Sequence, residues 1–324
     1  MKSSPLPDST SAWDQYWRDG RLASCGGEGG ANYQPLIAEG WRIFFDALFD
    51  GAHVLDICTG NGAVARLAAE TASMRNRRLT IEAVDSATIH PIGLGPCAGM
   101  IRFSPRTPAE NLPFPDASFD AIVGQYALEY TDAERTLAEL KRVSRPTASV
   151  RFVTHAAGSV VVLEAERQLA DVERLTATGV FEAAETFARA AANPAAVPVP
   201  EAARTNFENA LRSLQEATQH ALDLRMYNNA SGVIVHAIQQ QPRVGAGPVL
   251  AKIDEIASAI KAHQGRLSAM RRAALDESGA RALSARAEEL WSRRFGLEPL
   301  VRPDGAMFGW VLATAPETGA GGHR

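Results

Sequence analysis

Residues 53–69 set the tightest constraint on what this chain can fold into. Val54-Leu55-Asp56 belongs to a short apolar run ending in an acid, the pattern of a buried strand. A tight turn with two glycines, Gly60 and Gly62, follows; then Ala63, Val64, Ala65, Leu67, Ala68 and Ala69 open a helical pattern. Strand, glycine turn and helix in that order form the phosphate- or nucleotide-cradling corner of doubly wound α/β folds. Glycine lets backbone come close to a ligand, and the helix start offers free N–H groups. Gly60, Gly62 and Ala65 meet the dinucleotide spacing in its weaker form, with Ala in the last place. Asp56, just ahead of the turn, points elsewhere: a carboxylate there repels a pyrophosphate and suits a ligand with a cationic or hydroxyl-bearing end.

A second acid adds to this. Leu79 to Asp85 alternates and then turns apolar, which predicts a second strand with Asp85 at its C-terminal end. An acid roughly 20 residues past the glycine turn can accept ribose hydroxyls. Beyond it, Pro91, Gly93, Gly95, Pro96 and Gly99 break any helix, so a short helix at best or a loop is expected. Met100 to Phe103 reads as a third strand, Phe119 to Tyr126 as a fourth and Ser149 to His155 as a fifth. Thr131 with Glu134 predicts a capping-box start for a helix to Val143, and Arg145-Pro146 predicts a turn.

The stretch Asp56-Ile57-Cys58-Thr59-Gly60-Asn61-Gly62 resembles motif I of class I S-adenosylmethionine-dependent methyltransferases, acid-x-Gly-x-Gly-x-Gly, with Cys58 at the first glycine. Ala109-Glu110-Asn111-Leu112-Pro113-Phe114-Pro115-Asp116 up to Asp120 is similar to the segment that many small-molecule methyltransferases carry before the fourth strand, with Pro108 in place of its leading acid. Leu140-Lys141-Arg142-Val143 and Arg145-Pro146 are again like that family. The similarity runs through residues 50 to 155. It implies that S-adenosylmethionine is held by Asp56, Cys58, Thr59, Gly60, Asn61 and Gly62, with Asp85 on the ribose and Ser86, Ala109 and Glu110 beside the adenine. Gln125 and Tyr126 then reach the methionine end, and Tyr16 and Tyr33 are lid candidates on an N-terminal arm. Around the strand-four and strand-five tips, His155, Tyr130 and Glu129 are the candidate catalytic groups, His155 first because an imidazole titrates near neutrality. The bland alternative is a strand-end histidine that only hydrogen-bonds a loop.

Residues 156–280 are helical by periodicity: Val160 to Ala192, Glu201 to Gln241 and Pro248 to Glu277, with breaks at residues 193–200 and 242–247. Tyr227-Asn228-Asn229 reads as a kink that lines a pocket. His220 and His236 are further candidates there, and Asp171 and Glu173 read as ordinary helix surface. The chain then closes with a helix, Arg281 to Phe295, and a strand-turn-strand, Leu297 to Thr314. A closing hairpin with an antiparallel last strand separates the methyltransferase sheet from an ordinary dinucleotide fold. The expected fold is therefore an α/β, Rossmann-like, doubly wound sheet of seven strands with an antiparallel last strand, plus a large helical insertion after the fifth. Expected divisions are 1–50 (arm and lid helix), 51–155 (cofactor-binding half), 156–280 (helical insertion, either an acceptor lid or a homodimer interface) and 281–324 (final helix and hairpin).

Composition bounds the rest. With 324 residues and a net charge of −4, the chain lacks the basic face that nucleic acid demands. Three cysteines, Cys25, Cys58 and Cys97, show no paired spacing, which suggests a reducing compartment and neither a disulfide framework nor a zinc site. Met1 to Thr10 has no apolar core of a signal peptide, and no run is long enough to span a membrane. The expectation is a cytoplasmic methyltransferase acting on a small molecule, the methylated atom (O, N or C) left open. The alternatives are methylation of a protein, a non-catalytic cofactor-binding scaffold, and, further back, a dinucleotide-dependent oxidoreductase.

Overall fold

The computed structural model describes residues 9–25, 32–193 and 198–314. The polar N-terminal tail, the glycines at 26, 27, 29 and 30 and the glycine-rich C-terminal tail lie outside the described residues. The chain divides into two compact units, one of residues 1–163 with 269–324 and one of residues 164–268.

The first unit is built on a sheet of β1 (His53–Ile57), β2 (Thr80–Val84), β3 (Ile101–Ser104), β4 (Phe119–Gln125), β5 (Ser144–Thr154), β6 (Phe295–Val301) and β7 (Met307–Thr314). The seven strands lie in the order β3-β2-β1-β4-β5-β7-β6. β1 to β5 pair in parallel, whereas β7 is antiparallel to both β5 and β6. This is the expected doubly wound sheet with its antiparallel closing strand. The order reverses between β1 and β4. In open α/β sheets, a ligand lies at the carboxyl ends of the strands flanking such a reversal.

Alternation in the central strands feeds two cores. Val54, Ala121 and Val123 pack with α2 (Pro35–Asp46) and α3 (Ala63–Met74), where Trp41, Phe45, Leu67 and Ala68 are buried. Leu55, Ile57 and Ile122 face Leu137 and Leu140 of α4 (Ala133–Val143) and Ala287 and Trp291 of the last helix, 277–291. Both faces of a parallel sheet are thus covered, as its apolar strands require.

Arg142 on α4 ties two of the sequence signals together. Its guanidinium donates to the Phe114 and Leu112 carbonyls at 2.8 and 3.1 Å and to Asp116 and Glu139 at 2.7 Å each. The Leu112–Asp116 segment is therefore held against α4 by the arginine of the Leu-Lys-Arg-Val stretch.

Several local expectations are corrected. The cap of α4 is Asp132, which accepts the Arg135 N–H, while the Thr131 hydroxyl donates to the Leu128 carbonyl. Arg145-Pro146 is no free turn, because β5 already begins at Ser144, and its pairing with β4 shifts register between Phe119 and Ala121. Between Asp85 and β3 the described residues form no α-helix, just a short 3₁₀ segment, Gly95–Met100, as the glycines and prolines dictate.

The second unit is helical. α5 (Val160–Thr176) leads the chain into it, followed by α6 (Val180–Ala191), α7 (Glu201–Thr218) and α8 (Leu224–Val244); α9 (Ala246–Ala273) leads back to α10 (Glu277–Trp291). Two of the three long helical runs of the sequence are split, and the third is the single helix α9. Gly179, at φ 66°, separates α5 from α6, and a break at residues 219–223 separates α7 from α8. α8 runs through Pro242 and ends at Gly245, so the expected break at 242–247 narrows to one residue. Tyr227 is no kink: it lies in the first turn of α8, fully buried, with its hydroxyl donating to the Asp171 carbonyl at 2.9 Å. Asp171 is not helix surface either. It is 1% exposed and its carboxylate accepts the Leu222 and Asp223 N–H groups at 2.7 and 3.1 Å, closing the break before α8. Tyr227, Leu175, Val180, Ile234 and Ile253 belong to this unit's own core. His220 and His236 are exposed. Among the described residues no helix is long and apolar enough to cross a membrane.

Candidate cofactor and active site

The glycine turn sits at the carboxyl end of β1. Its acid, Asp56, turns inward and braces it: Oδ2 accepts the Thr59 hydroxyl at 2.6 Å and the Ala65 N–H at 3.1 Å. Gly60 and Gly62 take φ of 55° and 90°, the left-handed region that glycine enters at little cost. Cys58, where the pattern has glycine, also takes a positive φ, 49°. A side chain is strained there by about 1–3 kcal/mol. Cys58→Gly is accordingly expected to leave stability unchanged or raise it, whereas Cys58→Val costs about 2 kcal/mol because a β-branched residue fits this region worst; urea unfolding of the two variants checks the order.

Asp85 ends β2 beside this turn. One of its oxygens accepts the Gly60 N–H and the other the Ala87 N–H, both at 2.8 Å. Asn61, 1% exposed, donates to the carbonyls of Trp17 and Arg21 and accepts the His90 N–H. It thereby pins α1 (Ser9–Arg18) to the turn. Among the adenine-side candidates, Ala109 is buried, Glu110 accepts the Asp132 N–H at 3.0 Å, and Ser86 is exposed.

The strand-four and strand-five candidates converge. Trp41 donates its indole N–H to Gln125 Oε1 at 2.7 Å, which fixes the amide's orientation. Tyr126 has φ 53° and donates its hydroxyl to the Phe308 carbonyl. The His155 ring stacks on Tyr126 at 3.9 Å and meets Tyr130 edge-on at 5.9 Å. Glu129 Oε1 accepts the His155 backbone N–H at 2.7 Å, and the His155 carbonyl accepts from Leu275 N at 2.9 Å. Tyr33 meets Tyr126 edge-on, and Tyr16 donates to the Ala23 and Ser24 carbonyls. Trp13 of α1, absent from the candidates above, reaches Tyr130 at 5.9 Å. Its helical spacing with Tyr16 and Trp17 was the signal that one face of α1 packs inward.

Charge in this region is one-sided. Burial raises Asp56 to about 7, against its Thr59 and Ala65 hydrogen bonds, and raises Asp85 to about 6. Burial likewise lifts Glu129 to about 8 and lowers His155 to about 3. The Cys58 thiol is pushed up by burial and then by Asp85, Glu110, Glu129 and Asp56, so four carboxyl groups act on one atom. Among the buried polar atoms with no hydrogen-bond partner among the described residues, five belong to this region: Asp56 Oδ1, Gln125 Nε2, Glu129 Oε2 and both ring nitrogens of His155. Such atoms cost free energy unless a ligand pairs with them. Acidic groups plus unpaired donors and acceptors fit a cationic cofactor with polar ends. No group of three or more metal-ligating side chains occurs among the described residues.

An acid-braced glycine turn at the switch point of a parallel sheet closed by an antiparallel hairpin defines the class: the fold of class I S-adenosylmethionine-dependent methyltransferases, with that sulfonium compound as cofactor. Residues 55–152 match the model of the methyltransferase domain family, so this segment is a methyltransferase domain. Solved structures similar to the chain include the [4+2]-cyclase SpnF, 21% identical over 49% of this chain and 65% of that one, TM-score 0.38. Others are the YcgJ protein of Bacillus subtilis, 27% identical over 42% and 58%, TM-score 0.32, and a SAM-dependent methyltransferase of Aquifex aeolicus, 21% identical over 37% and 64%, TM-score 0.30. The chain thus spans less than two thirds of the length of each. A search of the curated proteins finds no match.

Proposed function

We propose that the chain transfers a methyl group from S-adenosylmethionine to a small neutral or cationic acceptor. The observation that carries this is the buried acidic cluster at the switch point, with its unpaired polar atoms and no cation among the groups that shift it. The cofactor supplies an electrophilic methyl on sulfur. Asp85 holds ribose hydroxyls, the turn at Gly60 and Gly62 offers close backbone, and Gln125 Nε2 donates to the methionine end. Glu129 accepts the acceptor's proton; its raised pKa suits a base working near neutrality, whereas His155 stays a neutral hydrogen-bonding and packing group. Negative potential at the strand tips disfavours anionic acceptors. The helical unit, residues 164–268, is the part of the chain that can shape acceptor choice or pair two copies.

Calorimetric titration tests the cofactor assignment. Wild type is expected to bind S-adenosylmethionine and not NAD, and Asp85→Ala to lose at least about tenfold in affinity, since it removes the ribose acceptor and frees two buried N–H groups. Binding without turnover across amines, phenols and alcohols would favour a non-catalytic scaffold, a reading supported by the Trp17 ring, which lies against the bare backbone of Gly60. Absence of binding would sink both.

A further inference from the structure

We propose that helix α1 is an internal plug: the Trp17 ring occupies the face of Gly60 on which the cofactor must lie, so the cofactor enters only after α1 withdraws. This rests on the assignment of the cleft to S-adenosylmethionine.

Contact geometry carries the proposal. A Cβ built on Gly60 would overlap three atoms of the Trp17 ring, so the indole lies directly against the backbone that the glycine leaves bare. Trp17 is 5% exposed. Close approach of a ligand is the reason for glycine at that position, and ring and ligand cannot share one face. A lid that only closes over a bound cofactor would stop a ligand's thickness short of Gly60; α1 reaches it.

Further contacts seat the helix in the cleft. Asn61, inside the turn, donates to the Trp17 and Arg21 carbonyls at 2.9 and 2.7 Å. Asp14 accepts the Thr88 N–H at 2.6 Å and pairs with Arg106 at 2.8 Å, which joins α1 to the segments on either side of β3. Tyr16 and Trp17 pack with Ala87 and Ile89, next to Trp13 and Phe103. Asp85, 7% exposed, accepts the N–H of Ala87 in this cluster on one oxygen and that of Gly60 on the other. Gly20, at φ 74° and two residues past the end of α1, gives the chain a place to swing.

The consequence is quantitative. A ligand that binds only the open form shows an affinity reduced by the open fraction. Emptying the cleft of the indole raises that fraction, so removing a plug strengthens binding, whereas removing a lid weakens it.

The test is stopped-flow and calorimetric binding of S-adenosylmethionine to the full chain, to Trp17→Ala and to Asp14→Ala, with circular dichroism and melting curves as the fold check. Trp17→Ala is expected to bind about tenfold more tightly, through faster association. Asp14→Ala, which loosens the outer anchor and leaves the cleft intact, is expected to shift both the same way by a smaller factor; it decides the matter if Trp17→Ala does not fold. Unchanged or weaker binding in the variants, with faster dissociation, overturns the plug while leaving the cofactor assignment standing. No binding by wild type or by either variant overturns the cofactor assignment, and the plug with it.

Discussion

Glu129→Gln is expected to lower kcat by roughly 10²- to 10⁴-fold, the usual worth of a positioned general base, with cofactor affinity nearly unchanged at pH 7. The substitution is a clean one here. The hydrogen bond to Glu129 is donated by the His155 backbone, and a glutamine carbonyl oxygen can accept it in the same place. What is lost is the ability of the other oxygen, Oε2, buried and unpaired, to take a proton. Wild-type kcat/KM should rise with pH and level off above about 8, where burial has moved the Glu129 carboxyl. The residual activity of the glutamine variant should be flat through that range. His155→Gln is expected to cost less. Its ring, held near 3, is already neutral at every working pH and is a feeble base. It serves by stacking on Tyr126 and offering two unpaired nitrogens. If instead His155→Gln silences the enzyme while Glu129→Gln keeps its rate and its pH rise, the roles are reversed.

The sequence showed the sheet plainly and showed the closed cleft hardly at all. β1, β2, β4 and β7 were legible because each is a short apolar run bounded by glycine, proline or an acid, and Gly60 and Gly62 fix the corner between β1 and α3. The Leu112–Asp116 segment was legible as a pattern, but its cause, the fork of Arg142, joins residues far apart in the chain. What failed was long-range. Asp171 looked like helix surface because nothing in its own helix shows that its carboxylate accepts N–H groups 51 and 52 residues further on. The break between α7 and α8 carries no glycine or proline; Asp223, which caps α8, was the one local sign of it. Thr131 and Asp132 are adjacent residues of capping type, and only geometry decides between them. Trp13, Tyr16 and Trp17 stand at helical spacing, a sign of an inward face that does not say what the face covers. Gly60 signals room for a ligand, and an indole stands in that room.

Stability and cofactor affinity should respond to pH in opposite directions. Asp56, Asp85 and Glu129 all have folded-state values raised above their ordinary ones, to about 7, 6 and 8, chiefly by burial. The folded chain therefore holds protons that the unfolded chain has released. Such groups stabilise the fold most below pH 4, and their contribution is lost as pH rises through 6, 7 and 8. His155 runs the other way: its value falls from 6.5 to about 3, so it destabilises the fold only as pH drops below 6.5. Above pH 6.5 the carboxyls act alone. The cofactor-free protein is expected to lose about 2 kcal/mol between pH 6.5 and 8, or roughly 5 °C in Tm. A cationic ligand favours the ionised carboxyls and offsets that loss. S-adenosylmethionine affinity should therefore rise roughly tenfold over the same interval, with proton release on binding seen as a buffer-dependent heat. S-adenosylhomocysteine, which lacks the sulfonium charge, should show a shallower rise. Equal slopes for the two ligands would mean that the acidic cluster does not sense the sulfonium. A melting temperature that climbs from pH 6.5 to 8 would mean that the three carboxyls are ionised in the free protein and that cations of this chain already neutralise them.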